Sequence, residues 1–596
     1  MRKKVLSLLL ASTMVFSIAA CGSDASSSTS TSGNAPASTT TQTGGSSEAT
    51  AEATAAPKDR EEVTLSAFIM QSVTGESGIW TGWGAQKLYD DLKIKIDFDP
   101  TGNEVETKLQ QYLVAGQLPD LIGLKGLDQA QLAMDADMLL PLDEYKDRLP
   151  NIFNNECYAS AVSYSQDYTS NDTGKLYIMP TAIGPTAYNS LNWVPLLQWD
   201  AYKQAGCPEI NTLEDYLDAV EAMVAIKPTT ETGEKTYGFS LFSDWDNVSA
   251  LEISTLSFMY GIDTEYVSPL METNIMTKET KSLLAEDSFY KRALQFYFEA
   301  NQRGLLDPDS MSQTYSDVDQ KFSAGRVMFS WFSWLTGSYN SKENQNGDNG
   351  TVDGMANVVA KDMKLYNAPN QTIGRNWYFA ISKDCSNVDA ALDLLNWMYD
   401  PAICQYLTNG PQGVTWDYAD NGEPTVINWN IVDNKTELLM PEEVGGGAFQ
   451  DGALAFNTYG PQAALEMPDG YSLSYRYWPS TLTRNPTTMK SEVAEKLQDN
   501  KYVLADYLYD HNMIAESTQA VNMITPASDD LEITVTQIGE IVKKYSWQMV
   551  YAKDQAEFDK LWSEMLTQAQ GLGLDSVTEY YTSEWNKALE IVAHYE

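Results

Sequence analysis

The sequence predicts an α/β fold in which parallel strands are joined by crossover helices. Short runs that alternate apolar and polar residues read as half-buried strands, and longer runs with apolar residues three and four apart read as helices. The two kinds take turns through residues 63–124. A β-α-β-α-β order is satisfied by parallel strands whose connections pass over a sheet face.

Val63, Leu65, Ala67 and Ile69 alternate and form the first predicted strand. A glycine-rich loop from Gly75 to Gly84 follows, carrying Trp80 and Trp83, and residues 85–92 read as a helix. Ile94, Ile96 and Phe98 give the second strand. Val105, Leu109, Tyr112 and Leu113 lie at helical spacing within 104–116, and Gly116 suits a left-handed C-terminal cap. Leu121–Leu124 is a short buried strand. Further strands are expected over 174–180 and from Asn192 to Leu197. Asn211-x-x-Glu214 resembles a capping box opening a helix whose apolar face holds Leu213, Tyr216, Leu217, Val220, Met223 and Val224. Other helices are expected near 287–302, from Val388, and around Phe558–Leu566, with Trp397 and Trp562 on core faces. The Asn/Gly-rich segment 340–357 reads as a surface loop: Asn344, Asn346 and Asp348 are spaced like calcium ligands, but the EF-hand glycine and closing glutamate are missing.

Composition narrows the function. The chain has 596 residues, 82 Asp+Glu against 39 Lys+Arg, and a formal charge of −43. Nucleic-acid binding needs cations to neutralise phosphates, so this balance argues against it. It argues equally against a polybasic grip on anionic lipid. His511 and His594 are the only histidines, which leaves little room for histidine catalysis or histidine metal sites. No cofactor or metal motif is present. Beyond Cys21, the cysteines Cys157, Cys207, Cys385 and Cys404 follow no zinc-like spacing; Cys385 and Cys404 are close enough in sequence to pair, and buried free thiols are the alternative.

The chain opens with Arg2, Lys3 and Lys4, then an apolar run to Ala20, then Cys21-Gly22. Such a run after a basic start is a secretory signal, too short for a membrane span. Ile18-Ala19-Ala20-Cys21 resembles the bacterial lipobox, so residues 1–20 are expected to be removed and Cys21 to carry a lipid. Of residues 22–57, 29 of 36 are Ser, Thr, Ala or Gly, with no Val, Ile, Leu or aromatic residue. Such a segment buries too little to offset its ordering entropy. Residues 21–60 therefore read as a lipidated cysteine and flexible linker, with a reach of roughly 31–37 Å. The expected location is the outer face of the cell membrane.

Five segments together carry a resemblance to a known family: LVAGQLPDLIGL (113–124), GKLYIMP (174–180), the run from Leu191 through Trp199-Asp200 and Ala205-Gly206 into the 212–224 helix, KFSAGRVMFSWFSW (321–334), and GRNWYFAISKDCSNVDAALDLLNWM (374–398). In this order they resemble the extracellular solute-binding proteins of bacterial ABC importers, the sugar-binding (family 1) type. Trp199-Asp200 departs from the family's usual basic residue before Asp. The chain is also long for the family, with extra material near 415–465 and 525–570, like a subgroup linked to oligosaccharides. The resemblance implies a two-lobe periplasmic-binding-protein-like fold of type II, each lobe a mostly parallel sheet flanked by helices, with a hinge between. The first lobe is expected to take residues 61–187 and 376–465, the second 188–375 and 466–596. It also implies a monomer, not an enzyme, that captures a carbohydrate and delivers it to ABC permease subunits.

A sugar presents apolar C–H faces and a rim of hydroxyls, so its site needs flat aromatic rings beside polar side chains. Candidates in expected strand-to-helix loops are Trp80, Trp83, Asn103, Glu104, Tyr188, Asn189, Trp245, Trp331, Trp334, Trp377, Arg476 and Trp478. Each tryptophan has a plain alternative as core. Asp120, at a strand start, reads as scaffold. Two other functions fit the same composition: a surface-anchored glycosidase using a carboxylate pair, and a sensor or adhesin on the same fold.

Overall fold

The computed structural model describes residues 60–70, 77–99, 105–185, 191–433, 439–450, 452, 465–525 and 527–595. Cys21 and the candidates Asn103, Glu104, Tyr188 and Asn189 lie outside the described residues.

The first lobe is built on a six-stranded sheet of order β2-β3-β1-β4-β13-β5. Its strands are β1 (Val63–Ile69), β2 (Gly78–Ile79), β3 (Ile94–Phe98), β4 (Leu121–Lys125), β5 (Met179–Thr181) and β13 (Arg375–Ile381). β1 runs parallel to β3 and β4, whereas β13 is antiparallel to β4 and β5, and β2 to β3. The expected β-α-β-α-β unit is thus the parallel centre of a mixed sheet. The strand returning from the second lobe enters from the opposite end, and so runs the other way. Alternation along β1 splits its side chains between two cores: Leu65, Ala67 and Ile69 pack with Ile94, Ile96 and Phe98, while Phe68 packs with Leu109, Ile122 and Leu124. Gly116, at φ +67°, ends the helix Val105–Ala115; the next residue's N–H donates to the Tyr112 carbonyl. Asp120 is scaffold: its carboxylate accepts from the Ser66 N–H and hydroxyl and from the Ser386 N–H.

The second lobe holds a three-stranded antiparallel sheet of β6 (Trp193–Gln198), β10 (Phe329–Phe332) and β11 (Met355–Asn357). A small antiparallel sheet of β7 (Ile262–Asp263), β8 (Met271–Asn274) and β9 (Thr280–Ser282) lies beside it in sequence, and β12 (Leu365–Asn367) pairs with β16 (Ile514–Glu516). The helices Asp215–Ile226, Phe289–Gln302, Asp529–Val550 and Gln555–Leu572 complete one large core. At the first of these, the expected capping box is replaced by a different arrangement. Asp215 accepts from the Asn211 and Thr212 N–H groups, and Glu214 turns away to a two-bond ion pair with Arg292 at 2.8 Å. Trp199 is fully buried and donates from its indole to Glu492, which also binds Lys203; Asp200 accepts only from Gln204 among the side chains whose bonds are described. Part of the 340–357 segment is ordered as the helix Lys342–Asn346 and as β11.

Two segments pass between the lobes side by side, with Gly184 and Gln371 exchanging backbone hydrogen bonds of 2.9 and 2.8 Å. Gln519, fully buried, pins this crossing. It accepts from the Thr372 hydroxyl and Ile373 N–H, and it donates to the Gln371 side chain and the Gly374 carbonyl. The extra segment after 415 forms the hairpin β14 (Trp416–Tyr418) and β15 (Pro424–Val426), whose Trp416 and Val426 join the first-lobe core. Tyr475 and Trp478 join the same core, on the far side of the expected 466 boundary. Tyr595 also returns to the first lobe, donating to Asp167 at 2.8 Å and meeting Tyr164 and Tyr168 edge-on. Arg60 is ion-paired with Asp393, so the last position assigned to the linker is held by the body. Cys157, Cys207, Cys385 and Cys404 are free thiols, so Cys385 and Cys404 are not bonded to each other.

Candidate functional site

Three chain runs in the second lobe lie parallel and end at one edge. Tyr237 bridges Val327 and Phe239 bridges Leu306, both in parallel sense. The run through Phe242 leads to Trp245, the run through Leu306 leads to Tyr315, and β10 leads to Trp334. Open α/β sheets offer their ligand surface at the carboxyl ends of such strands.

At that edge the side chains form a continuous aromatic ribbon. Trp245 stacks on Tyr315 with ring centres 4.6 Å apart and planes 12° from parallel. Phe242 meets both, and its other side reaches Phe332 at 6.0 Å. Phe332 is stacked between Trp331 at 4.7 Å and Trp334 at 4.5 Å. Phe242, Phe332 and Trp331 are buried, whereas Trp245, Tyr315 and Trp334 are only partly so. The ribbon therefore has a dry spine and three rings that reach solvent.

A polar network fixes this edge from behind. Asp307 is fully buried and accepts from Lys321 and from the Ser240 hydroxyl. Gln313 donates to Ser240 and to the Leu241 carbonyl, and accepts from Lys321. The Tyr315 N–H donates to Asp244 at 2.9 Å, tying the Trp245 loop to the start of the next helix. Asp246 accepts from the Leu251 N–H and the Trp547 indole; burial nevertheless pushes its carboxyl up to about 6. Glu252 is buried, accepts from the Phe242 N–H and has no cation among its described contacts; burial raises its carboxyl well above the ordinary glutamate value.

The other candidates divide differently. Trp83 is a core residue. It opens the helix Trp83–Leu92, donates from its indole to the Phe449 carbonyl at 3.1 Å and stacks on that ring. Trp478 is core as well, donating to the Ser472 carbonyl and leaning on Trp416. Trp331 is 2% exposed, and its indole N–H meets no acceptor among the described residues. For these three the expected solvated face is replaced by a buried one: Trp83 and Trp478 meet rings distant in the chain, and Trp331 lies within β10 in the second-lobe core. Arg476 is exposed on the turn Tyr475–Tyr477. Trp80 is partly buried against the first-lobe core, and Trp377, also partly buried, lies opposite Lys125 at the carboxyl end of β4. Tyr315 was not among the candidates. Its signal is the capping box Thr314-x-x-Asp317, which places Tyr315 in a helix's first turn.

Among the described residues, no group of three His, Cys, Asp or Glu side chains could hold a metal ion, and no helix is long and apolar enough to cross a membrane.

The sequence pattern of the family described as bacterial extracellular solute-binding protein matches residues 67–403. The chain belongs to that family. Its members are binding proteins rather than enzymes. The match runs through the first-lobe sheet, the whole aromatic ribbon and the return strand β13. Solved structures agree in fold over nearly the whole solute-binding protein. An HMO-binding, ABC-transporter-associated solute-binding protein from Bifidobacterium longum infantis is 16% identical with a TM-score of 0.56, covering 88% of this chain and 99% of its own. The S. pneumoniae ABC-transporter substrate-binding protein FusA, solved with kestose, is 14% identical with a TM-score of 0.54, covering 89% and 100%. The alginate-binding protein AlgQ2 is 13% identical with a TM-score of 0.52, covering 88% and 98%. A comparison with curated proteins gave no match.

Proposed function

We propose that this protein is a lipid-anchored carrier outside the cytoplasm that captures a carbohydrate, most suitably an oligosaccharide, between its lobes and delivers it to the permease of an ABC transporter. The observation that carries the ligand class is the ribbon ending in Trp245, Tyr315 and Trp334. Rings with one face buried and one face wet offer a stacking platform to sugar C–H faces. Glycan binding by the proteins of like fold supports the same class. Cys21, after its basic and apolar leader, supports the anchor. Trp377 on the first lobe is the candidate contact from the other side. Hinge bending about the 184–371 crossing would bring the lobes together on the ligand.

The test is a thermal-shift screen against a glycan panel. A ligand that binds only the folded state stabilises it by RT ln(1 + [L]/Kd), about 2.7 kcal/mol at a hundredfold excess over Kd. One or more oligosaccharides should raise the melting temperature. A panel of di- to hexasaccharides in which none does so, while a peptide or polyamine panel does, would overturn the carbohydrate reading.

A further inference from the structure

A pocket lies in the second lobe on the face of β6 that carries Val194 and Leu196, the face opposite that of Trp193 and its partner Phe332. In the antiparallel register of β6 and β11, Asn357 stands opposite Leu196. Side chains alternate across a strand, so Val194 and Leu196 share one face with Met355 and Asn357. The helix Thr488–Leu497 covers that face through Met489 and Val493, and residues 498–505 close its end. Together they enclose a cavity of 310 Å³, within the size range of small-molecule sites.

The wall pairs an apolar floor with polar groups of two kinds. Asn340 and Gln345 are already engaged: Asn340 bonds both the N–H and the carbonyl of Met355, and Gln345 bonds the Asn340 carbonyl and the Thr487 hydroxyl. Gln498 and Asn357 differ. Gln498 is 6% exposed, lines the cavity, and its amide group makes no hydrogen bond to any other described residue; nor does that of Asn357. Neither amide is sealed away as a buried atom without a partner, and Asn357 is half-buried, so both are open to the cavity and to what enters it. Tyr502 stands at the mouth, 38% exposed.

We infer that this cavity is a second ligand site, sized for one sugar ring, in which Gln498 and Asn357 bond hydroxyls, the Leu196–Met355 floor takes the C–H face and Tyr502 covers the mouth. An amide offers a donor and an acceptor side by side, which matches vicinal hydroxyls. The ligand class comes from the pocket's own chemistry, so it stands or falls separately from the cleft.

The full chain carrying 13C-methyl methionine is titrated with glucose, galactose, fructose and N-acetylglucosamine, each to tens of millimolar. The methyl resonances of Met355 and Met489 report the pocket, and the indole resonances of Trp245 and Trp334 report the ribbon. At least one sugar should shift both methyl signals saturably, with the apparent Kd raised about tenfold or more in Gln498→Leu. Tyr502→Ala, at an exposed position that does not threaten folding, should raise it as well. Methyl signals that no sugar moves overturn the site, whatever the indoles do, and so does binding that survives both variants unchanged. Methyl shifts without indole shifts support the pocket while counting against a monosaccharide-binding ribbon.

Discussion

Replacing Trp245 or Trp334 by alanine should weaken oligosaccharide binding by about 1.5–3 kcal/mol, the scale of one large apolar side chain removed from water. Both rings are partly exposed, so the unliganded protein should lose only about 1–2 kcal/mol of stability. Trp83→Ala and Trp331→Ala should do the reverse, costing about 3–5 kcal/mol of stability without a selective loss of affinity. Calorimetric titration and denaturant unfolding of the four variants separate the two classes. If Trp334→Ala binds like the parent, the ribbon is not the platform. Asp246 allows a second test at this scale. Its folded-state pKa, about 6, lies above the ordinary aspartate value because of burial. The folded state therefore holds its proton more tightly than the unfolded chain. The stabilisation is complete below about pH 4 and is lost as pH rises through about 6. Asp246→Asn cannot titrate, so the unfolding free energy of the parent relative to this variant should fall by about 1–3 kcal/mol between about pH 4 and pH 7. A difference independent of pH would show that Asp246 titrates normally.

At the level of elements, the crossing is the most demanding piece. Gln519→Ala would leave the Ile373 N–H, the Gly374 carbonyl and the Gln371 amide without their buried partner. A loss of about 2–4 kcal/mol is expected in chemical denaturation, because unsatisfied buried groups cost more than a bond gains. A change under about 0.5 kcal/mol would mean that water replaces the side chain freely. Elements were legible in the sequence where the cause is local. β1, β3 and β4 follow from alternation, and the helix Val388–Met398 from its apolar spacing. The sites of difference have distant causes. Trp83 sits in a glycine-rich run that looks like a loop, and its burial depends on Phe449, 366 positions away. The direction of β13 depends on an excursion through a whole lobe, and the Glu214–Arg292 pair spans 78 positions. The ribbon was legible in part: Trp245 and Trp334 stand out as rings beyond strand ends, but which ring is wet depends on Phe242 and Phe332 wedged between them.

For the whole molecule, the linker and the body should be separable. Deleting residues 22–59 should leave the melting temperature unchanged, since nothing in their composition can pack, while deletion through Arg60 should lower it slightly by breaking the pair with Asp393. A drop of several degrees in the shorter deletion would mean that the linker folds onto the body. Cys21→Ala should move the protein from the membrane fraction to the medium, and unchanged fractionation would rule out the anchor.

The direction of β13 bears on the order of events as the chain is made. β4 and β5 flank β13 in the finished sheet, yet 249 residues or more of ribosomal output separate the end of β4 from the start of β13. The amino-terminal half of the first lobe therefore waits, its sheet open between β4 and β5, until the segment through Ile381 has emerged. The second lobe's sheet strands β6, β10 and β11 all precede that point, so its sheet can assemble first, while its core waits again for the helices beyond Asp529. Neither lobe is a vectorial unit, and long-range closure of this kind makes folding slow and the nascent chain dependent on protection from association. Pulse-labelled chains should gain protease resistance in both lobes together, after synthesis, rather than lobe by lobe.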